Sequence, residues 1–379
     1  MASKKPKLSN AASSSPARQV VLVLQGGGAL GAYQIGVYQA MHEAGIEPDW
    51  VIGTSIGAIN GALIAGNPPA QRMQRLEAFW NKVQHKPHLS ADWFGLGNTL
   101  ANLSTVSTGV SSFFRPNPGA WLSSRMPLGI EQAAYYSTAD LRDTLEELVD
   151  FDYLGSCAHR LTVGAVNVRT GDMRYFDSRS ERLTVQHIMA SGALPPAFGA
   201  VRIDGDPYWD GGIYSNTPIE AVLDDKPRRD SLIFSAQMWS PRGPEPHTVW
   251  DVMGRMKDIQ YGSRARTHIE RQKQLHRLRH IIRELGQGLS AEQLAKPEFK
   301  ALLAWGCGST MHVVKLNAPH LPGEDQTKDI DFSPSGIRAR RDAGYAQTRQ
   351  AIAARPWEGE VDAMEGVMVH EIESPSIAA

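Results

Sequence analysis

The sequence predicts an α/β fold with a mostly parallel central sheet. Two units of strand, glycine turn and helix follow each other within residues 19–66, and each starts with a short, largely β-branched apolar run. Such runs are typical of strands that are buried on both faces of a parallel sheet. Because a strand, a helix and a second strand in succession form a parallel crossover unit, we expect both strands in one sheet.

The first unit has its strand at residues 19–24 and its helix in GAYQIGVYQAMHEAG. Ala32 and Ile35 recur there at helical spacing, and Gly45 provides the stop. The second strand, at residues 50–52, passes through GTSIG into the small-residue helix AINGALIAG.

The remaining elements are predicted from apolar periodicity, helix caps and turn residues. Thr138 is the expected cap of the helix after it, and residues 170–172 form the turn of a hairpin. We further predict a helix from residue 184, strands at 231–235 and 311–316, a helix at 336–353, and a basic amphipathic helix at 252–285 whose apolar face includes Leu275, Leu278 and Leu285.

The length of 379 residues predicts roughly two domains or one enlarged domain. Residues 1–19 contain lysines but no long apolar run, so we expect a disordered basic tail. An α/β domain is predicted over 20–235, with a loop-rich cap region at 85–136, and a helical and mixed extension over 236–379. The pattern leaves open whether the extension folds separately.

The composition excludes several classes of protein. The formal net charge is -1 at pH 7, so no global field favours nucleic acid, and we expect no nucleic-acid partner. Two cysteines, Cys157 and Cys307, lie far apart and outside any zinc-binding spacing. Without a recognisable secretory signal or membrane span, we expect a cytoplasmic protein whose membrane contact is at most peripheral. The oligomeric state is not predicted.

The run from Gly26 to Gly31 satisfies G-x-G-x-x-G, the glycine pattern of dinucleotide-binding units, and this raises the hypothesis of an NAD or FAD protein. Such a site needs an acidic residue at the carboxyl end of the second strand. Asp49 has nearly the right spacing but precedes that strand. The carboxyl end carries GTSIG instead, so the dinucleotide hypothesis is disfavoured.

GTSIG is a G-x-S-x-G motif in its required context of strand, sharp turn and helix. A serine nucleophile at Ser55 needs neighbours without bulk, because its hydroxyl must project while the chain reverses, and Gly53 and Gly57 meet that need. The helix that follows directs its positive end at the reacting centre. The first glycine turn, beside the second, has N–H groups suited to an oxyanion.

The serine also needs a base. Asp210 stands out because it lies on a tight turn before Gly211 and Gly212, where partial burial would raise its pKa. Asp204, Asp206 and Asp210 have the residue type of a metal loop, but Pro207 interrupts them, so we expect a turn and no metal. Histidines are available without a distinctive setting at His247, His268, His276, His280, His312, His320 and His370.

Three motifs in order, GGGALG, GTSIG and the DGG at 210–212, resemble those of the patatin-like phospholipases, as does ASGALPPAF before DGG. The resemblance covers residues 20–234 and implies a three-layer α/β patatin-like fold that hydrolyses acyl esters with a Ser-Asp dyad. By position, Ser55 is then the nucleophile and Asp210 the base. The same resemblance assigns the oxyanion hole to Gly26, Gly27, Gly28 and Ala29, with supporting motif positions at Gly31, Gly53, Gly57, Gly211 and Gly212.

The resemblance implies no cofactor and no metal, and as substrates it implies phospholipids, lysophospholipids or simpler acyl esters. Leu30 occupies a position where family members often have Arg or Lys, which bears on the head-group preference. An alternative is a membrane-binding or regulatory protein with little turnover, which would use the basic helix and the aromatic residues of the cap region.

Those aromatic residues are Trp93, Phe94, Phe113, Phe114 and Trp121. Two interpretations remain open: a lid that dips into lipid, or ordinary core that covers the sheet, and the second is favoured. For the basic helix, a solvated face is favoured over binding of anionic head groups or nucleic acid. His187 is expected to pack rather than to act in catalysis.

Overall fold

The computed structural model describes residues 18–84, 108–122, 125, 127–156, 158–322, 324–362 and 364–372. The predicted N-terminal tail, except for its last two residues, lies outside these ranges, as do Trp93, Phe94 and Cys157. For Trp121 the backbone alone is described.

One sheet organises the described part of the chain, and a two-stranded ribbon accompanies it. The ribbon pairs β3 (Arg115–Pro116) with β4 (Tyr136–Ser137). The strands of the sheet are β1 (Gln19–Leu24), β2 (Trp50–Thr54), β5 (Arg160–Asn167), β6 (Met173–Asp177), β7 (Val201–Ile203), β8 (Asp206–Asp210), β9 (Ser231–Gln237), β10 (Met311–Asn317) and β11 (Val367–Glu371).

The strand order is β11-β10-β9-β1-β2-β5-β8-β7, with β6 on the other edge of β5. All pairs from β11 to β5 are parallel, whereas β6 and β8 run antiparallel to β5. The predicted, mostly parallel sheet is therefore confirmed. The carboxyl ends of its parallel strands lie together, and the glycine turns that follow β1 and β2 are at this end of the sheet.

Helices cover both faces of the sheet. They are α1 (Ala32–Glu43), α2 (Ile56–Ala65), α3 (Pro69–Lys82), α4 (Pro118–Leu122), α5 (Ala139–Leu148), α6 (Phe151–Gly155), α7 (Val185–Ser191), α8 (Glu220–Leu223), α9 (Val249–Gln287), α10 (Ala291–Ala295), α11 (Pro297–Leu303) and α12 (Pro334–Ala354).

The alternation of side chains along β1 separates two cores. Leu22 and Leu24 pack with residues of α1, α2 and α3, whereas Val21 and Val23 pack on the other face with residues of α8 and α9. Successive residues of a strand point to opposite faces, so a strand buried on both sides must be apolar throughout. The sheet with its two helical layers is the predicted three-layer α/β fold.

The C-terminal part of the chain joins the same sheet. β10 and β11 continue it beyond β9, and α12 packs on α1. The helices touch closely because two glycines meet the opposing backbone: a Cβ on Gly36 would lie 1.9 Å from the Arg341 carbonyl, and one on Gly344 would lie 2.1 Å from the Tyr33 carbonyl. Residues 236–372 thus contribute to the architecture that residues 20–235 begin.

Two predicted details hold only in part. Thr138 occupies the N-cap position of α5, but its side chain makes no capping hydrogen bond. On α9, the predicted apolar face is not turned inward throughout, because Leu278 and Leu285 are 56% and 68% exposed, whereas the polar His276 and His280 are buried. The helix begins earlier than predicted because Thr248 and Asp251 form a capping box.

No helix among the described residues is both long enough and apolar enough to cross a bilayer.

Candidate active site

Strands β2 and β8 meet end to end along one edge of β5. Thr54, the last residue of β2, pairs with Gly164, and Asp210, the last residue of β8, pairs with the next residue, Ala165. The two strands run in opposite directions and stop at the same point. The residues that follow β2 and end β8 are therefore brought together although they are far apart in sequence.

Ser55 follows β2 in a strained turn. Its backbone adopts φ 57° and ψ −126°, a region that non-glycine residues rarely occupy. The turn is too tight for side chains at its glycines, because a Cβ on Gly53 would lie 2.2 Å from the Gly57 carbonyl and one on Gly57 would lie 2.2 Å from the Leu24 carbonyl. Both predicted glycine requirements thus have a steric cause. The side chain of Ser55 projects into a cavity.

The turn is held by a neighbouring serine. The Ser55 N–H donates to the Ser191 carbonyl and hydroxyl oxygens, both at 3.1 Å, and the Ser191 hydroxyl donates to the Gly164 carbonyl at 2.6 Å. This N–H is therefore engaged within the protein. The strained conformation is fixed from α7, which belongs to a different part of the chain.

Asp210 is buried beside Ser55. Its residue is 1% exposed, and its carboxylate accepts a hydrogen bond from the Gly212 N–H at 2.7 Å. Burial raises the pKa of Asp210 to about 7, and the hydrogen-bonding side chain of Ser55 and the Gly212 N–H lower it only in part. The carboxyl group therefore exchanges its proton near neutral pH, as a general base for a hydroxyl requires.

The glycine turn after β1 lies across the cavity from this pair. The Gly26 N–H, one of the predicted oxyanion donors, donates to the Asn216 carbonyl at 3.1 Å and is not free. Within the described residues, no acceptor is found for the backbone N–H groups of Gly27, Gly28 and Ala29. These three remain suited to an anion.

The conformation of this turn depends on glycine at two further points. Gly28 has φ 55°, and a Cβ there would lie 2.3 Å from the Asp329 carbonyl. A Cβ on Gly31 would meet Ile56 at 2.5 Å, so Gly31 lets the turn pack against the start of α2. At the other motif, a Cβ on Gly211 would lie 2.5 Å from the Gly164 carbonyl.

A cavity of about 200 Å³ opens between these groups. On one side it is lined by a cluster of aromatic rings, in which Phe113 contacts Phe198 and Phe332 at centroid distances of 6.1 and 5.8 Å. Phe113 and Phe114 are both 7% exposed. For these two aromatic residues, the predicted core location is confirmed, and they also form the wall of the cavity.

The other side of the cavity has a polar wall that sequence reasoning missed. The rings of Trp239 and Tyr261 lie there with their centroids 5.1 Å apart, and Asp329 lines the same wall. Trp239 donates to the Gly26 carbonyl at 2.8 Å, and Lys257 pairs with Asp329 at 2.8 Å. Burial, and then the charges of Asp210 and Asp329, raise the pKa of Tyr261. No motif marks these residues, because they depend on how the C-terminal part folds.

The histidines are placed elsewhere, and none of those described lines this cavity. His187 is 7% exposed and takes part in the capping box of α7, as its predicted packing role requires. His268 contacts Glu220, and His276 and His280 contact backbone carbonyls. Burial lowers the pKa of His276 to about 4. His312 and His370 stack on each other on β10 and β11.

The remaining predicted features have structural roles. Asp204 and Gly205 form the predicted turn between β7 and β8, and Asp206 pairs with Arg169 at 2.8 Å. Asp49 accepts from the Val20 N–H at 2.8 Å, near the start of β1 and away from the glycine turn. Asp49 is thus unsuited to the ribose of a dinucleotide at that turn.

The site thus combines a strained serine at the end of a parallel strand, a buried aspartate and an open glycine turn within one α/β fold. The chain matches the family described as "Patatin-like phospholipase" over residues 22–223, more than half of its length. It belongs to that family. Residues 259–364 match a second family, described as "Patatin phospholipase".

Curated relatives are similar over short stretches. "Lysophospholipase nte1" of Aspergillus terreus is 62% identical over 48 residues, which are 13% of this chain and 3% of that protein. "Patatin-like phospholipase domain-containing protein 6" of Homo sapiens is 48% identical over 63 residues, 17% of this chain and 5% of that protein. Among solved structures, the match to VipD from Legionella pneumophila covers 90% of this chain and 68% of the VipD chain. The sequence identity is 16% and the TM-score is 0.37.

Proposed function

We propose that this protein is a serine acyl hydrolase that cleaves fatty acyl esters of phospholipids, lysophospholipids or simpler lipids through a Ser55–Asp210 dyad. The single observation that carries the proposal is the position of Ser55, on a strained turn beside a buried carboxylate whose pKa is about 7. Family membership supports the class of reaction.

In the first step, Asp210 accepts the proton of the Ser55 hydroxyl as its oxygen attacks the ester carbonyl carbon. The carbonyl double bond opens, and the negative charge moves to the oxygen of the tetrahedral intermediate. We assign its stabilisation to the N–H groups of Gly27, Gly28 and Ala29. Gly26 is omitted because its N–H already donates to Asn216. Such preorganised donors are worth about 3 kcal/mol each in related chemistry.

The intermediate then collapses. The bond to the alcohol oxygen breaks, and the protonated Asp210 returns its proton to that leaving oxygen, which gives the free alcohol and an acyl ester on Ser55. Water attacks this ester in the second half, with Asp210 again the base, and the fatty acid departs while Ser55 recovers its proton. The two halves balance without any group beyond the chain and water.

The acyl chain of the substrate is assigned to the aromatic side of the cavity. Phe113, Phe114, Phe198 and Phe332 offer an apolar surface there, and an alkyl chain gains about 0.8 kcal/mol for each buried CH₂ group. The alcohol portion then faces Trp239, Tyr261 and Asp329. In this proposal the protein is cytoplasmic and contacts membranes peripherally, where such substrates reside.

The test is covalent labelling with a fluorophosphonate, followed by intact-protein mass measurement, on the native protein, Ser55→Ala and Asp210→Asn. One adduct on the native protein, none on Ser55→Ala and much slower labelling of Asp210→Asn are expected. A folded native protein that stays unlabelled and hydrolyses no acyl ester would contradict the proposal and would favour the membrane-binding, regulatory alternative.

A further inference from the structure

The first part of α9 exposes a continuous apolar surface. Residues Val249, Val252, Met253, Met256 and Ile259, here called the apolar stripe, are 75%, 52%, 46%, 58% and 48% exposed. At 100° per residue they occupy roughly one third of the helix circumference, so they form one face rather than scattered contacts. A monomeric soluble protein rarely leaves such a face without a partner.

Polar residues beside and opposite the stripe attach the same segment to the protein. Lys257 pairs with Asp329 at 2.8 Å, and Asp258 pairs with Lys328 at 2.7 Å. Arg255 donates to the Ser240 carbonyl at 3.1 Å. The usual amphipathic arrangement is thus reversed, because the charged residues fasten the helix while its apolar residues face solvent. The exposure of the stripe follows from these contacts.

Arginines continue the same outward face along the helix. Arg266, Arg271 and Arg277 are exposed, and in the described ranges none of them forms an ion pair within 4.0 Å. Glu270 is the one acidic residue between Arg266 and Arg277. With 39 residues the helix is about 58 Å long, so its outward face presents an apolar end and a cationic middle.

The apolar stripe belongs to the helix that also contributes to the candidate active site. It ends at Ile259, two residues before Tyr261, whose ring lines the cavity. On the Asp210 side, Ile213 and Tyr214 are 41% and 50% exposed and directly follow Gly212. Ile213 and Tyr214 share a surface pocket with His268 of α9. The helix that carries Tyr261 and the segment that follows Asp210 thus both have exposed apolar groups.

We propose that the outward face of α9 docks the protein on an anionic phospholipid surface, with the apolar stripe entering the acyl boundary and the arginines meeting the head groups. An apolar segment combined with a cationic face is the pattern of helices that lie in the membrane interface. The orientation would bring the cavity towards its substrate, and to that extent the inference rests on the proposed function. Docking itself requires no turnover.

The first measurement is co-sedimentation with phosphatidylcholine vesicles, with and without phosphatidylglycerol, in a Ser55→Ala background that prevents hydrolysis. We expect the protein to bind the vesicles that contain phosphatidylglycerol, and we expect added salt to weaken this binding. Met256→Glu should weaken binding at least tenfold, because a methionine that enters the acyl boundary is replaced by a charge. Leu302→Glu on α11 is the matched control, since Leu302 is 62% exposed but lies outside the stripe, and it should have no effect.

The exposed arginines of α9 are tested by separate variants. Arg266→Gln, Arg271→Gln and Arg277→Gln should each reduce binding about fivefold and together remove the preference for phosphatidylglycerol. Equal binding by Met256→Glu and Leu302→Glu would overturn the inference. So would a native dimer that Met256→Glu converts to a monomer without changing vesicle binding, because the stripe would then be a contact between copies.

The outcomes separate docking from catalysis. In the background with Ser55 intact, Met256→Glu should label with fluorophosphonate and cleave a soluble short-chain ester at the native rate, yet lose most hydrolysis of ester embedded in vesicles. Loss of soluble activity as well would contradict a docking role. If the native protein binds vesicles but is not labelled, docking stands and the proposed function fails.

Discussion

Thr54 and Asp210 face consecutive residues of β5, Gly164 and Ala165, from strands that run towards each other. This pairing places the turn that carries Ser55 against the carboxylate of Asp210. The strand register, rather than a flexible loop, therefore fixes the separation of the two groups. Residues on strands and at their ends hold catalytic geometry more rigidly than loop residues do.

Asp210→Asn should reduce kcat/KM for a soluble ester by about a thousandfold, because the amide cannot accept the serine proton. Circular dichroism should show an unchanged fold. Asp206→Asn is the matched control: it is on the same strand and pairs with Arg169 at the surface. Similar losses in both variants would point to damage of β8 rather than to a missing base.

The pH dependence should report the same group. Since burial raises the pKa of Asp210 to about 7, the ionised, proton-accepting form is scarce at pH 5 and predominates at pH 8. The kcat/KM for a soluble, non-titrating ester should therefore rise about tenfold per pH unit below pH 6 and level off above pH 8. A flat profile over this range would exclude Asp210 as the base.

Sequence could predict the parts of the fold and site whose requirements are local. Gly53 and Gly57 are needed by their own turn, and a strained serine turn has few sequence solutions, so the motif was informative. The apolar, β-branched strands were recognisable for the same reason. Ser55 and Asp210 were singled out as candidates because each sits in such a turn.

Long-range packing could not be predicted in this way. Tyr261, Asp329 and Phe332 line the cavity because α9 and the segment before α12 return to the edge of the sheet. The direction in which the apolar face of α9 points could not be predicted, for a related reason. Periodicity shows that a helix has two faces, but ion pairs such as Lys257–Asp329 decide which face turns inward, and their partners are distant in sequence.

Gly28→Ala should abolish fluorophosphonate labelling and lower the melting temperature. The added Cβ meets the Asp329 carbonyl at 2.3 Å, so the glycine turn after β1 or the Asp329 segment must move. Gly171→Ala separates this clash from backbone strain, because Gly171 also has a positive φ, 75°, but has nothing within 4 Å of the new Cβ. The control should cost about 1 kcal/mol of stability and leave labelling intact.

Lys257→Met should reduce kcat/KM about fivefold through the Asp329 segment. The ion pair is partly exposed, so its loss costs only about 1 kcal/mol, but Asp329 packs against Gly28 and its displacement disturbs the glycine turn. Lys315→Met, which breaks the pair with Glu371 on β10 and β11, should leave kinetics unchanged. Equal effects of the two variants would contradict a specific role of Lys257.

Asp210 should also make the native protein less stable at alkaline pH than its Asn variant. Its pKa rises from 3.8 to about 7 on folding, so the folded state binds the proton more tightly than the unfolded state. The resulting stabilisation is fully present below pH 3.8 and is lost as pH rises through 7.

The Asp210→Asn variant has no carboxyl group at this position, so it lacks this dependence of stability on pH. Relative to this variant, the native protein should therefore lose stability between pH 5 and pH 8, by at least 1 kcal/mol, since each unit of pKa difference corresponds to about 1.4 kcal/mol. Thermal unfolding of both proteins at several pH values measures the difference. Asp206→Asn should follow the native curve, because Asp206 lies at the surface and not in the buried site. A constant gap between native and Asp210→Asn at all pH values would show that Asp210 titrates normally and would also remove the physical basis for its role as a base.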